Sequence, residues 1–443
     1  MALEQQTLDI QDSLVASLLS GENFCPTKPS SIQETGLGDE IVEQLICKHL
    51  AVFGTSKGRA IADYVCLPFN IVETVLGSLR TSQYVVHAGS APFNDYYYSL
   101  TTEGRARAKA FLDACAYVGP APVPLMDYVI SVEAQSITAE APGPEKLGEA
   151  VRDISVDPNL FDSLGPAINS GAGMFLYGAP GNGKSTLAKR ITLCFGQVIW
   201  IPHALYEDGQ IIKFYDSAYH KPAPGDSQSL IRCVDYDRRW LKISRPTVMV
   251  GGELTMDNLE LRHDSRTNIN EAPLQMKSNC GCLLIDDFGR QRIEPAQLLN
   301  RWIVPLEMHH DFLTLPTGKK MQVPFDQLVI FSTNLEPRQL VDEAFLRRIP
   351  FKIEIADPDE EEFHYLFELY AHSFGCDYRR EVIDDLLARH YRPTHRRLRR
   401  CQARDLLLQI RSYCNYASKP MELRPDYFDR AVKTYFATVL GDE

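Results

Sequence analysis

The chain has 443 residues, 44% hydrophobic and 23% charged, the balance of a globular protein of two or three domains at roughly 150 residues each. Its 46 basic and 58 acidic residues leave a net charge of −12, which weighs against a protein that coats nucleic acid by neutralising phosphates. No apolar run approaches the roughly 18 residues that span a bilayer, the acidic stretch Met1–Leu19 lacks a secretory leader's basic residues, and the eleven cysteines are scattered, so the expectation is a cytoplasmic chain with reduced thiols and no membrane partner.

Residues 1–118 form the first region. Ile41, Leu45, Ile46 and Leu50 recur at helical spacing. A Thr/Ser pair at Thr55–Ser56 caps a second helix, and Pro68 opens a third. Two β-like runs, beginning at Tyr84 and Asp95, flank the loop Gly89–Asn94, and a last helix begins near Thr102. Three helices and a β-wing resemble a winged helix, an α+β domain. The third helix, the reader in such folds, carries one acid, Glu73, and one base, Arg80, and residues 34–118 hold 7 basic and 9 acidic groups. That offers little phosphate neutralisation, so recognition of protein is expected over recognition of DNA. Alternation puts at least one of Tyr96, Tyr97 and Tyr98 inward.

Residues 119–150 are rich in Pro, Ala and Glu and read as an extended linker, because proline fixes φ and removes a donor. Residues 151–356 alternate apolar strands with helical stretches, the α/β pattern of a parallel sheet with helices on both faces. Residues 357–443 are helical only.

The strongest signal is Gly178-Ala179-Pro180-Gly181-Asn182-Gly183-Lys184-Ser185, which fits G-x-x-x-x-G-K-[ST] between a short strand, Met174–Tyr177, and a helix that starts at Lys184 and continues through Thr186. Glycines let backbone N–H groups turn toward phosphates, Lys184 reaches the β- and γ-phosphates, and the Ser185 hydroxyl suits Mg²⁺. Between Phe195 and Asn279, the run Ile199–Leu205 reads as the second strand of the sheet. Tyr206, Phe214, Tyr215 and Tyr219 fit packing better than a translocation loop. About a hundred residues after the loop, the apolar run Cys282–Ile285 ends in Asp286 and Asp287. Asp286 suits the Mg²⁺ partner of P-loop enzymes. Asp287 stands where a water-activating carboxylate is expected, one methylene shorter than the usual Glu, or else it caps the helix that follows.

Asp311–Asp326 contains two β-like runs around Pro-Thr-Gly-Lys-Lys, a hairpin with Lys319 and Lys320 at its tip. The strand Leu328–Phe331 then ends in Ser332-Thr333-Asn334, and Asn334 is the candidate for sensing the γ-phosphate and orienting water. Arg347 and Arg348 end a helix before a strand and point away from the chain's own loop; one of them, Arg348 first, would reach a neighbour's nucleotide. Arg404 precedes the apolar face Leu406–Ile410 and is placed to fold over phosphates. The nearby run Arg396, Arg397, Arg399 and Arg400 reads as a solvated face or a nucleic-acid patch.

From about Val156 onward these elements resemble the AAA+ superfamily, with Walker A at Gly178–Ser185, Walker B at Leu283–Asp287, sensor 1 at Asn334, the arginine finger at Arg347 or Arg348 and sensor 2 at Arg404. The hairpin resembles the insertion before sensor 1 of the MoxR-like and helicase-like branches. A second apolar hairpin, Arg245–His263, matches an insertion of the same branch. The arrangement also resembles a bacterial group of AAA ATPases with chaperone-like activity. The resemblance implies ATP and Mg²⁺ as cofactors, an α/β ATPase core with a helical lid, and a homo-oligomer, a hexameric ring in that family. The aspartate pair departs from the usual Asp-Glu but also occurs in a helper-ATPase branch.

The first functional expectation is therefore an ATPase that couples ring-dependent turnover to remodelling a protein client, with the N-terminal domain recruiting client or adaptor. The alternative is a DNA-associated helper or regulatory ATPase in which ATP acts as a switch. A P-loop kinase or transferase fits less well, because neither needs the sensor, the paired arginines and the lid together.

Overall fold

The computed structural model describes residues 24–140, 142–152, 154, 157–196, 198–223, 236–341 and 343–436; the leader reading of Met1–Leu19 lies outside them. At its centre is a five-stranded sheet whose strands all run parallel: β1 (Met174–Tyr177), β2 (Thr247–Val250), β3 (Gly281–Ile285), β4 (Gln327–Thr333) and β5 (Phe351–Glu354), in the spatial order β2-β3-β4-β1-β5. Alternation sends Met174, Leu176, Leu284, Ile330 and Ile353 to one face, against Leu187, Ala188 and Ile191 of the helix Lys184–Ile191. Phe175, Leu283, Ile285, Val329 and Phe331 go to the other face, against Leu298, Leu299 and Trp302 of the helix Pro295–Met308. Burial on both faces explains why these strands read as continuous apolar runs.

Two expectations about the sheet are corrected. Val198–Pro202 does not join it but pairs antiparallel with Trp240–Ser244 in a separate two-stranded sheet. The second sheet strand is β2, which lies inside the run expected to form the hairpin Arg245–His263. That hairpin does not form. β2 ends at Val250, before Gly251-Gly252, a 3₁₀ turn follows at Met256–Leu259, and Arg262–Asp264 pairs instead with Ile269–Glu271.

A second five-stranded sheet takes the spatial order Arg262–Asp264, Ile269–Glu271, Gln210–Lys213, Ala204–Glu207, Val123–Pro124. Its last member belongs to the expected linker, and that expectation is also corrected. Residues 119–150 carry the helices Leu125–Ala134, Ile137–Glu140 and Pro144–Ala150. The prolines act as helix openers rather than spacers: Pro124 is an N-cap and Pro144 sits in a first turn. Leu125, Tyr128 and Val132 are buried along one stripe, and Tyr128 Oη donates to the Met276 carbonyl at 3.3 Å.

The N-terminal region consists of the helices Asp39–Phe53, Gly58–Val65 and Phe69–Thr81, the hairpin Val85–Ala91 with Asp95–Leu100, and the helix Thr102–Ala114. Tyr98 is buried and Tyr96 is exposed. Asp95, 3% exposed, accepts from the Gly58 and Arg59 N–H groups and satisfies two free donors at a helix start. The core of this region continues into the second sheet through Ala204 and Ile211. Arg239 ties the two together, with its Nη1 donating to the Thr35 and Pro122 carbonyls while the side chain pairs with Asp237.

The hairpin before β4 joins His310–Thr314 to Lys320–Pro324. Leu313, Leu315, Met321 and Val323 are buried against Leu125, Ile201, Leu205 and Phe214. Its tip does not project freely, because Lys319 Nζ reaches Asp208 at 3.2 Å and Glu207 at 3.5 Å on the turn of the second sheet. The C-terminal region, helical as read, packs Glu360–Ser373, Arg380–Leu386, Arg400–Ala417 and Pro425–Tyr435 around its own core. Among the described residues no single helix is long and apolar enough to cross a membrane, and every cysteine is a free thiol.

Candidate functional site

The loop between β1 and the helix Lys184–Ile191 is built on three glycines in the left-handed half of φ space: Gly178 at 139°, Gly181 at 85° and Gly183 at 85°. Two of them are also points of close approach. A Cβ on Gly178 would lie 2.4 Å from the Ile355 carbonyl oxygen, and one on Gly181 would lie 2.4 Å from Cys401 Sγ. Lys184 starts the helix and is 7% exposed. Its ammonium donates to the Gly178 carbonyl at 2.9 Å, the Ala179 carbonyl at 3.0 Å and Asn334 Oδ1 at 2.7 Å. Burial pushes the Lys184 pKa down, while Asp286 and Asp287 pull against that shift.

β3 delivers the two aspartates. Asp286 Oδ2 accepts from Ser185 Oγ at 2.7 Å. Asp287 has φ of 50°, a left-handed position that Asp and Asn tolerate best among residues with side chains. Its Oδ1 accepts from Asn334 Nδ2 at 3.1 Å. Asn334 follows the end of β4, between β3 and β1 in the sheet. Lys184, Asn334 and Asp287 therefore form one hydrogen-bonded chain at the C-terminal edge of the parallel strands, where open α/β sheets place their ligands. Asp287 sits inside a tight turn, Asp286–Gly289, and does not cap a helix; the following helix begins at Pro295.

These residues line a cavity of about 370 Å³ with Pro180, Gly181, Asn182, Gly183, Ser185 and Thr186 on the loop side. Arg400, Cys401 and Arg404 close it from the helix Arg400–Ala417. Arg404 lies in the cavity wall, paired with its neighbour Asp405 at 3.0 Å. Several lining residues went unread in the sequence: Ile154, Leu160, Leu366, Leu369 and Tyr370 supply apolar lining. The basic run also resolves differently from a solvated face. Arg399 pairs with Asp357, and Arg400 binds both oxygens of Glu362, at 2.8 and 2.9 Å. Asn182, 2% exposed, joins the loop to the C-terminal helical region; Nδ2 donates to Asp357 Oδ1 at 2.8 Å and Oδ1 accepts from the Arg400 N–H at 3.3 Å. The 3.6-residue spacing that buries Ala403, Leu406, Leu407 and Ile410 was the available signal that Arg400 and Arg404 share a helix face.

Arg347 and Arg348 end the helix Glu343–Arg348 and do not line the cavity. Arg347 is exposed. Arg348 Nε pairs with Glu307 at 2.6 Å.

Ser185 and Asp286 present two oxygens 2.7 Å apart beside the loop, a donor set that fits a hard divalent cation. Among the described residues no group of three or more His, Cys, Asp or Glu side chains forms a metal cage. A cation here would take its remaining oxygens from phosphates and water, as Mg²⁺ does in nucleotide sites.

One family profile, described as a domain of unknown function (DUF8689), matches residues 359–434, within the C-terminal helical region. No curated protein matches the sequence. Among solved structures the chain is similar to NtrX from Brucella abortus in complex with ADP, at 14% identity and a TM-score of 0.38, over 64% of this chain and 56% of that one. It is also similar to the RuvB Holliday junction branch migration motor of Thermotoga maritima, at 14% identity and a TM-score of 0.34, over 66% and 70%. A third likeness is to a complex of subunits BchI and BchD of magnesium chelatase, at 13% identity and a TM-score of 0.32, over 68% and 95%. The chain thus spans little more than half of the NtrX chain. At these values the likenesses carry no functional argument, and the α/β description rests on the chain's own topology.

Proposed function

We propose that the chain is an AAA+ ATPase that binds Mg-ATP in the cavity between the sheet and the C-terminal lid and hydrolyses it to ADP and phosphate. The observation that carries this reading is the hydrogen-bonded chain from the Gly178 and Ala179 carbonyls through Lys184 and Asn334 to Asp287, with the Ser185–Asp286 pair beside it. Phosphate oxygens would replace the carbonyls and the amide on Lys184, and the loop N–H groups would hold the β-phosphate at the helix start. Ser185 and Asp286 would hold Mg²⁺, which offsets the charge shared by the β- and γ-phosphates. Asn334 and Asp287 would orient a water in line with the γ-phosphorus. As that oxygen bonds to phosphorus, the bond to the β-phosphate oxygen breaks and Asp287 takes the proton. The apolar end at Leu366 and Tyr370 suits a purine ring, and Arg404, released from Asp405, would report the phosphates to the lid.

In this reading the working state is a homo-oligomeric ring. Arg347 or Arg348 would enter the neighbour's site, and Arg348 would first leave Glu307. The buried hairpin joins β4 to the second sheet and through it to the winged-helix-like N-terminal region, so nucleotide-driven movement at Asn334 would reach the surface that recruits a protein client or adaptor. The regulatory reading, with DNA on that surface, is tested by a salt-dependent gel shift of the full chain.

The direct test is phosphate release from Mg-ATP by wild type, Lys184→Ala and Asp287→Asn. Wild-type turnover, with binding lost in the first variant and binding kept but turnover lost in the second, supports the reading. Wild type that does not bind Mg-ATP overturns it.

A further inference from the structure

Gln291 follows the aspartate pair by four residues and lies outside the cavity lining, yet its carboxamide uses every one of its bonds on the turn that carries Asp287. Nε2 donates to the Asp286 carbonyl at 2.8 Å and to the Asp287 carbonyl at 3.1 Å. Oε1 accepts from the Gly289 N–H at 2.8 Å. Three further bonds complete the turn: the Asp287 N–H to Asp286 Oδ1 at 3.1 Å, the Phe288 N–H to the Ser332 carbonyl at 2.7 Å, and the Arg290 N–H to the Asp287 carbonyl at 3.0 Å. The turn is constrained at Asp287, with φ of 50°, and at Gly289, with φ of 102°. A Cβ on Gly289 would lie 2.7 Å from a Leu340 methyl carbon. A left-handed residue other than glycine is strained and persists only where its surroundings hold it.

We propose that Gln291 is a positioning residue for hydrolysis, a clamp that holds the Asp287 carboxylate at Asn334 without touching nucleotide. The inference rests on the ATPase reading above. The three bonds of the clamp fix the backbone on both sides of Asp287, so they set where its carboxylate points. A shift of about 1 Å at a reacting group can cost on the order of a hundredfold in rate, whereas the loop contacts that bind phosphate do not involve Gln291.

The test compares wild type, Gln291→Ala and Gln291→Glu by steady-state Mg-ATP hydrolysis, by equilibrium binding of a fluorescent ATP analogue, and by thermal unfolding. Glu keeps the size and the acceptor for Gly289 but, ionised, donates to neither carbonyl. The expected result is a fall in kcat of at least about tenfold in both variants, with KM and affinity within about twofold of wild type. An unchanged kcat overturns the inference, as does affinity falling in step with kcat, or unfolding of both variants under assay conditions. Wild type that binds Mg-ATP without turnover overturns the hydrolysis reading itself, a result distinct from active wild type with unaffected variants.

Discussion

The carboxamide of Asn334 is shared between Lys184 and Asp287, accepting from the Lys184 ammonium at 2.7 Å and donating to Asp287 Oδ1 at 3.1 Å. One side chain at the end of β4 thus links Lys184, proposed to meet phosphate, to Asp287, proposed to meet water. Asn334→Ala should leave ATP binding within about threefold and lower kcat by about a hundredfold or more, the scale seen when one preorganised donor is removed. Equilibrium binding and phosphate release on the same preparation check the split.

Asp287 occupies left-handed backbone, which Asn adopts about as well. Asp287→Asn should therefore keep the fold and nucleotide affinity while turnover falls by roughly 10²–10⁴-fold, the share usual for a positioned general base. Asp287→Glu would restore the commoner acid but put a longer chain at this φ, and turnover is expected to fall there too. Single-turnover hydrolysis of the two variants measures both effects.

Asn182 is one contact through which the loop Gly178–Ser185 meets the C-terminal helical region, by way of Asp357 and the Arg400 N–H, beside the Cys401 N–H bond to the Gly181 carbonyl at 2.9 Å. Asn182→Ala should loosen the lid without removing any phosphate-binding group. Nucleotide release is expected to speed up about three- to tenfold, since most affinity changes of this kind reside in koff. Stopped-flow chase of a fluorescent ATP analogue measures it, and an unchanged release rate would detach Asn182 from lid motion.

Burial pushes the His203 imidazole down to about 4 from its ordinary 6.5, at the junction between the strands Val198–Pro202 and Ala204–Glu207. The unfolded chain takes up this proton below about pH 6.5 and the folded chain does not until about pH 4. Stability from this group is thus full above 6.5 and is lost as pH falls toward 4, by up to about 3 kcal/mol. Urea unfolding at pH 7 and pH 5 should show a smaller difference for His203→Gln than for wild type.

The residues that line the candidate site were legible because a phosphate site would fix both residue type and spacing: the loop Gly178–Ser185, the pair at Asp286 and Asp287, and the polar end of β4 each occupy a few adjacent positions. What joins them was less legible. Asn182 and Asp357 lie 175 residues apart, and nothing local marks Asn182 as a lid contact. The Arg399–Arg400 run looked like surface because its carboxylate partners, Asp357 and Glu362, stand on other elements. The proline-rich stretch was misread because proline opens helices as readily as it stiffens linkers. β2 and the strand Val198–Pro202 are similar apolar runs, and only tertiary pairing decides which joins the parallel sheet.

The decisive measurement is Mg-ATP hydrolysis per subunit across a wide range of protein concentrations, for wild type and for the double variant Arg347→Ala/Arg348→Ala. If neighbouring chains complete each other's sites, the specific rate climbs with concentration in wild type and stays low in the double variant, while both bind nucleotide. A specific rate that is independent of concentration and equal in the two proteins would contradict a site shared between subunits, and no turnover in wild type at any concentration would contradict the ATPase itself.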